Sequence, residues 1–342
     1  MIHLSSIIFN CEFLTQSSLV PSCGNRNFAL QNRQLDYNIM KKFLLTYVFL
    51  MSTVLTFTAH AQLLYRVSGN GLGKLSYILG TYHLAPSAFS DSIPGFRQAM
   101  AEVGQVCGEL DMELVKTPEN TMKMLNAMML PEGKTIQGML GEEEMKSLNA
   151  FVKSLMGTDF SNPLVGDQLG KMTPAALTTQ FSLLMYMKMN PNFSAEDGID
   201  TYVQTLGRQQ GKKILGLETI DEQIHVLFGS QSLERQLQLL MCMVRHQDYQ
   251  MQMAGELVKA YYAQDIKRIE EITDQKYNDE CDSSPEEENT LIYGRNANWA
   301  NAMPGIMSEQ PTFFAVGAAH LIGEKGLINL LQERGFSVKA VQ

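Results

Sequence analysis

The chain has 342 residues, with 27 Lys and Arg against 36 Asp and Glu, a net charge of −9, and a hydrophobic share of 45%. That apolar share excludes a disordered polypeptide. The acidic balance disfavours nucleic acid and anionic lipid as partners, since both repel it.

The first legible segment is "MKKFLLTYVFLMSTVLTFTAHAQ", from Met40. Lys41 and Lys42, an apolar run, and Ala59-His60-Ala61 form the basic, apolar and small-residue parts of a secretory signal. Cleavage is expected after Ala61. Residues 40–61 are thus read as a signal peptide, 1–39 as a leader upstream of the true start, and 62–342 as one exported domain. No cysteine follows the cleavage point, so no lipid anchor is indicated. No later stretch is long and charge-free enough to span a membrane. Export to the periplasm or the extracellular space is the expectation.

Downstream, "LLYRVSG" and "LSYILG" read as two strands joined by the glycine turn "GNGLGK", a hairpin. "DSIPGFRQAMAEV" reads as a helix capped by Asp91 or Ser92, and "QVCGELDM" as the next strand. From Thr117 the pattern becomes helical and rich in methionine. "GEEEMKSLNAFVKSLMG", "TPAALTTQFSLLMYMKMN", "GIDTYVQTLGRQQG" and "TIDEQIHVLFG" are its helices, and "KKILGLE" is a short buried strand. "SLERQLQLLMCMVRHQDYQMQMAGELVKAYYAQD" is one long helix or a broken pair. "SSPEEEN" opens a helix with a serine cap, a proline and acids in its first turn. The strand "TFFAVGAAH", the helix "EKGLINLLQERG" and the strand "FSVKAVQ" close the chain. Strands at both ends with helices between them predict an α/β fold: a central mixed sheet completed by both termini of the exported chain, with a large helical insertion at about 117–310.

Of five cysteines, Cys11 and Cys23 precede the cleavage point. An odd number remaining suggests one disulfide and one buried thiol. Cys107 sits in an apolar run as a core residue, and Cys242 and Cys281 are the candidates for a pair.

Two segments carry the same figure. "ILGTYHL" and "AVGAAHL" each run from an apolar strand through glycine, Gly80 or Gly317, to a histidine three positions on, His83 or His320. Ligands in open α/β sheets bind beyond strand ends, and glycine lets the chain turn sharply there. Glu109 and Asp111 of "CGELDM" end another strand and share a face by period two. Two imidazoles and a carboxylate suit a divalent metal with open positions; a spare carboxylate then serves as base. The alternative is three satisfied polar groups at a sheet edge.

These residues resemble the TraB/GumN family, which includes the Tiki proteins, and the secreted bacterial GumN-like branch fits best. The resemblance rests on "LGTYHL" with "AVGAAHLIGEKGLINLLQERGFSV", supported by "GELDM", "GIDTYVQTLGRQQGKKILGLET" and "RNANWA". It implies a fold related to erythromycin-esterase and ChaN-like proteins. It also implies a metal-dependent hydrolase, most readily a peptidase acting on a peptide or protein, supported by manganese or cobalt. His83, His320 and Glu109 would form the metal and catalytic site, with Gly80 and Gly317 shaping the turns. Glu218, Asp200, Arg295 and Asn296 belong to a second tier, Glu218 as further ligand or base. A ligand-binding protein, of haem for instance, or a partner-binding protein using the same sheet edge is the rival reading.

The methionines, Met185, Met187 and Met189 among them, read as core or lid packing, with an adaptable peptide groove as the functional version of that idea. His225 and His246 read as structural helical histidines. No G-x-S-x-G nucleophile elbow is present.

Overall fold

The computed structural model describes residues 62–342; the signal sequence and the segment before it lie outside the described residues. A six-stranded sheet has the order β4-β3-β5-β2-β1-β6. Its strands are β1 (Leu64–Gly69), β2 (Ser76–Thr81), β3 (Gln105–Gly108), β4 (Lys213–Gly216), β5 (Thr312–Gly317) and β6 (Phe336–Ala340). β1 pairs antiparallel with both β2 and β6, so the first and last strands close the sheet's edge together. β2, β5, β3 and β4 run parallel. β2 and β5 are buried along their whole length, which explains why they read as continuous apolar runs rather than alternating ones.

Period-two alternation divides these strands between two cores. Leu79, Phe313 and Val106 pack with the helix α1 (Phe96–Glu102) and with Tyr261 on one face. Ile78, Cys107 and Phe314 pack with Trp299 and Met303 on the other. Cys107 is a buried free thiol, and burial pushes its pKa up to about 12.

The insertion supplies α2 (Pro118–Ala127), α3 (Glu142–Met156), α4 (Pro174–Met189), α5 (Ile199–Gln209), α6 (Leu233–Arg245), α7 (Gln247–Tyr262), α8 (Ile266–Thr273) and α9 (Gly294–Glu309); α10 (Leu327–Glu333) follows β5. α3, α4 and α6 share their own apolar core around Phe151, Phe181 and Met243. A disulfide, Cys242–Cys281, ties α6 to the loop before α9. By chain entropy, a closure of this length stabilises by about 4 kcal/mol. Among the described residues no helix is long and apolar enough to cross a membrane.

Several local expectations differ from the structure. The helix expected from Asp91 begins only at Phe96: Ile93 is held extended before Pro94 and Gly95 is left-handed, so Ser87–Ser92 forms a separate 3₁₀ turn. β4 is half-exposed, because it is the edge strand rather than an interior one. β3 stops at Gly108, so Glu109 and Asp111 do not continue a strand face. Asp111 instead caps the helical turn Met112–Val115 and pairs with Arg208. The long helical run is a broken pair, interrupted at His246.

The glycine ending β3 is sterically required. A Cβ at Gly108 would collide with the Gln204 amide and stand 2.8 Å from the Leu110 carbonyl oxygen. Gly108→Ala is therefore expected to cost about 1–3 kcal/mol, measured as a lower urea midpoint. A midpoint equal to the parent's would contradict this packing.

Candidate active site

The four parallel strands deliver their exits to one edge of the sheet. β2 leads to His83, β3 to Glu109, β4 to Glu218 and β5 to His320, each within three residues of the strand's terminal Gly or Gly-Thr. Since β5 lies between β2 and β3, segments far apart in the chain become neighbours there. At Gly80 the approach is close: an added Cβ would stand 3.1 Å from the Ala318 backbone and 2.8 Å from Leu321. The turn carrying His320 thus packs directly on the exit of β2.

Each imidazole is anchored through Nδ1. His83 Nδ1 lies 2.8 Å from Asp200 Oδ2, and Thr81 donates to the other oxygen of that carboxylate at 2.6 Å. Asp200 sits in the first turn of α5, where the helix dipole favours a negative group. A carboxylate only accepts while ionised, so a neutral His83 carries its proton on Nδ1. Its Nε2 is then a bare acceptor, buried and without a hydrogen-bond partner.

His320 is fully buried. Its Nδ1 is 2.6 Å from Asn296 Oδ1. The Asn296 amide nitrogen donates to the Lys325 carbonyl at 2.8 Å. A carbonyl cannot donate, so the amide orientation is fixed, and His320 also carries its proton on Nδ1. Nε2 is left as acceptor, 3.2 Å from Arg295 Nη1 and 4.0 Å from Glu109 Oε1. Trp299 packs against the ring at 4.5 Å between centroids.

Arg295 joins the rest. Its Nε and Nη2 donate to the two Glu218 oxygens at 2.9 and 2.6 Å, and Nη2 also donates to Glu109 Oε2 at 2.7 Å. Its guanidinium lies over Trp299. The π-helical turn Asn289–Tyr293 immediately precedes α9 and sets the rotational phase at which Arg295 and Asn296 leave it. The second Glu109 oxygen accepts from the Gly317 N–H at 2.8 Å.

The charges do not cancel. Glu109, Glu218 and Asp200 are three largely buried carboxylates, and Arg295, paired with the first two, is the guanidinium set against them. With neutral imidazoles two negative charges remain uncompensated, which a low-dielectric setting disfavours. Burial works against a charged His83, but the Asp200 carboxylate outweighs it, with help from Glu109, and raises the imidazole to about 9. Burial would raise Glu109, yet Arg295, the two histidines and the Gly317 N–H lower it to about 2. Burial raises Glu218, and its Arg295 pair offsets this only in part.

The donor types at this edge, two imidazoles and a carboxylate, suit a divalent cation, although His83, Glu109 and His320 do not draw their ligand atoms within 4.8 Å of one another as found. The edge offers two imidazole Nε2 atoms whose opposite nitrogens are oriented by a carboxylate and an amide, a pattern typical of metal-binding histidines. It adds a nearby carboxylate and a surplus of negative charge. A second cluster, His246, Asp279 and Cys281, has its donor atoms within 4.8 Å of one another. It lacks a thiolate, because the Cys281 sulfur is held in the disulfide, and His246 stacks on Tyr277 as a structural ring.

The structure thus brings together His83, Glu109, His320, Glu218, Asp200, Arg295 and Asn296, with Gly80 and Gly317 beneath them. It separates Asp111 from the group. Gln204 is a positioning residue that sequence reasoning missed: it donates to the Leu110 carbonyl at 2.7 Å and accepts from the Met112 N–H at 2.9 Å, fixing the loop after Glu109. Its place one helical turn after Asp200, on the same face of α5, is the signal that points to it.

The His83 shift predicts a pH dependence for the protein held metal-free by chelator. Its folded pKa lies above the unfolded value, so its stabilisation is complete below about 6.5 and is lost as pH rises through about 9. Melting temperatures should fall across that window, and His83→Gln should remove much of the fall. Equal slopes in both proteins would contradict the assigned environment.

The chain is 21% identical over 304 residues to the protein named metalloprotease TIKI2 of Danio rerio, covering 77% of this chain and 58% of that one. It is 24% identical over 315 residues to metalloprotease TIKI2 of Xenopus tropicalis, covering 77% and 57%. It is 24% identical over 312 residues to the metalloprotease TIKI homolog of Nematostella vectensis, covering 78% and 65%. The chain therefore spans less than two thirds of these relatives. No solved structure matches it. The family model described as TraB/PrgY/gumN matches residues 63–340, so the chain belongs to the TraB/PrgY/gumN family.

Proposed function

We propose that this protein is an exported, divalent-metal-dependent hydrolase that acts on peptides or proteins. The observation that carries the proposal is the shared anchoring of the two imidazoles: both are held at Nδ1, which leaves Nε2 as the acceptor, and His83 Nε2 is buried without a partner. The surplus of carboxylates over guanidinium at the edge supports it, as does the name metalloprotease carried by the relatives. His83, His320 and Glu109 would hold the ion, of the manganese or cobalt type. When bound, such an ion polarises a carbonyl and lowers the pKa of water.

The chain's own groups do the remainder. Glu218, whose affinity for a proton is raised by burial, takes a proton from the attacking water and returns it to the leaving amine. Arg295 keeps Glu218 oriented through two hydrogen bonds and offers a fixed positive charge to the oxyanion that develops during attack. Asp200 and Asn296 hold the two imidazoles in the required tautomers. Export rests on the signal sequence Met40–Ala61 and on the Cys242–Cys281 disulfide, which persists in an oxidising compartment.

A peptide library incubated with the protein and manganese or cobalt tests this. Cleavage should appear, stop with chelator and return on adding metal. Glu218→Gln should lower kcat by about 10²–10⁴-fold while leaving metal affinity largely intact, because Glu218 is assigned to proton transfer. Metal-independent cleavage, or full activity in Glu218→Gln, would contradict the assignment.

A further inference from the structure

Beside His83 lies a cavity of about 100 Å³. One wall is apolar and built from α4, α7 and α8: Met185, Met189, Met251, Met253, Leu257 and Ile269. The opposite wall is the sheet edge, Thr81–His83 from the exit of β2 and Gly317–Ala319 from the exit of β5. The cavity therefore adjoins both strand exits that carry the histidines.

Three features restrict its occupant. Its volume is about two thirds of the ~150 Å³ that holds a benzene ring in an engineered cavity, so it takes one side chain and not a haem. No Asp, Glu, Lys or Arg lines it, so a Lys or Arg side chain would be buried unpaired at high cost, and a carboxylate would add to the negative surplus already at this edge. Two lining residues keep a buried polar atom without a hydrogen-bond partner, Tyr82 Oη and His83 Nε2. A purely structural void would not need them, whereas a peptide amide seated beside an apolar side chain supplies partners for a hydroxyl. Tyr82 itself is held by ring contacts with Tyr186 and Tyr261. Those two residues tie the insertion to the exit of β2 through hydrogen bonds to the Leu84 and Gly80 carbonyls.

We propose that this cavity is the specificity pocket of the site. It accepts one large unbranched-end or γ-branched apolar side chain, of methionine or leucine size, from the substrate residue adjoining the scissile bond, and Tyr82 Oη hydrogen-bonds the backbone of that residue. The methionine wall adapts to either shape. The proposal deepens the hydrolase reading and rests on it for the position of the scissile bond; the pocket's preference can be measured without turnover.

Binding of N-acetyl-Ala-X-Ala-amide peptides, with X as Leu, Met, Gly or Asp, is measured by calorimetry on the protein. The Leu and Met peptides should bind at least ~10-fold more tightly than the Gly peptide, the lower limit for burying such a side chain, and the Asp peptide should bind no better than Gly. Ala254, which lines the cavity, is replaced in one variant by a larger residue: Ala254→Phe should abolish the preference. Met189→Ala enlarges the cavity and should shift the preference toward X as Phe. These opposite changes separate a filled pocket from a misfolded protein, and melting curves confirm that each variant folds. Equal binding of the Leu and Gly peptides, or an unchanged preference in both folded variants, overturns the pocket. Mapping of cleavage sites is the second arm. Cuts beside Leu or Met support the assignment, and cuts with no such neighbour overturn it. A preference that responds to both variants, with no peptide cut, supports the pocket as a peptide side-chain site and contradicts the hydrolase reading instead.

Discussion

The site depends on one buried guanidinium. Arg295 reaches Glu109, Glu218 and His320 at once, and the first two come from the exits of adjacent strands, β3 and β4. Removing carboxylates from water costs several kcal/mol each even after relaxation. Without a cation between them, these two strand exits could not both carry acids into the interior. Arg295 offsets part of that cost and leaves a remainder, since Asp200 adds a third negative group. The remainder gives the edge a surplus of negative charge: it attracts protons to His83 and Glu218, and it would attract a divalent ion in their place.

Topology explains how four polar groups come to share this edge. β5 is inserted between β2 and β3 only after the whole helical insertion has been traversed. His320 consequently joins His83 and Glu109 across contacts of high sequence separation. The insertion is not a passive loop. It returns α5 against β3, bringing Asp200 to His83 and Gln204 to the loop after Glu109. It also returns α4 and α7 across the exits of β2 and β5, forming the apolar wall beside His83. Rigid parallel strands place the histidines, and packed helices set their tautomers and their surroundings.

Much of this was legible in the sequence. The repeated strand-Gly-x-x-His figure located both imidazoles, and the apolar runs at each end identified a sheet closed by both termini, because hydrophobic continuity and glycine punctuation are local signals. The Cys242–Cys281 pair followed from the exclusion of a core cysteine. Period two failed at Asp111, because β3 ends at Gly108 and the following turn rotates Asp111 toward Arg208. "KKILGLE" resembled a core strand, yet its position in the strand order, which no local pattern encodes, makes it an edge. Met185 and Met189 are one helical turn apart and line the same cavity, a pairing that becomes visible only once α4 is placed against the sheet edge. Gln204 and Tyr82 were silent, since their roles exist only once distant segments are packed together.

The central claim is that the two histidines form one metal site at the sheet edge, and calorimetric titration of the protein with manganese and with cobalt tests it most directly. The account predicts one equivalent bound, release of protons on binding at neutral pH, and loss of that binding in the His83→Ala/His320→Ala double variant while the fold is retained. Binding that survives the double variant, or no binding by the parent protein, would contradict it.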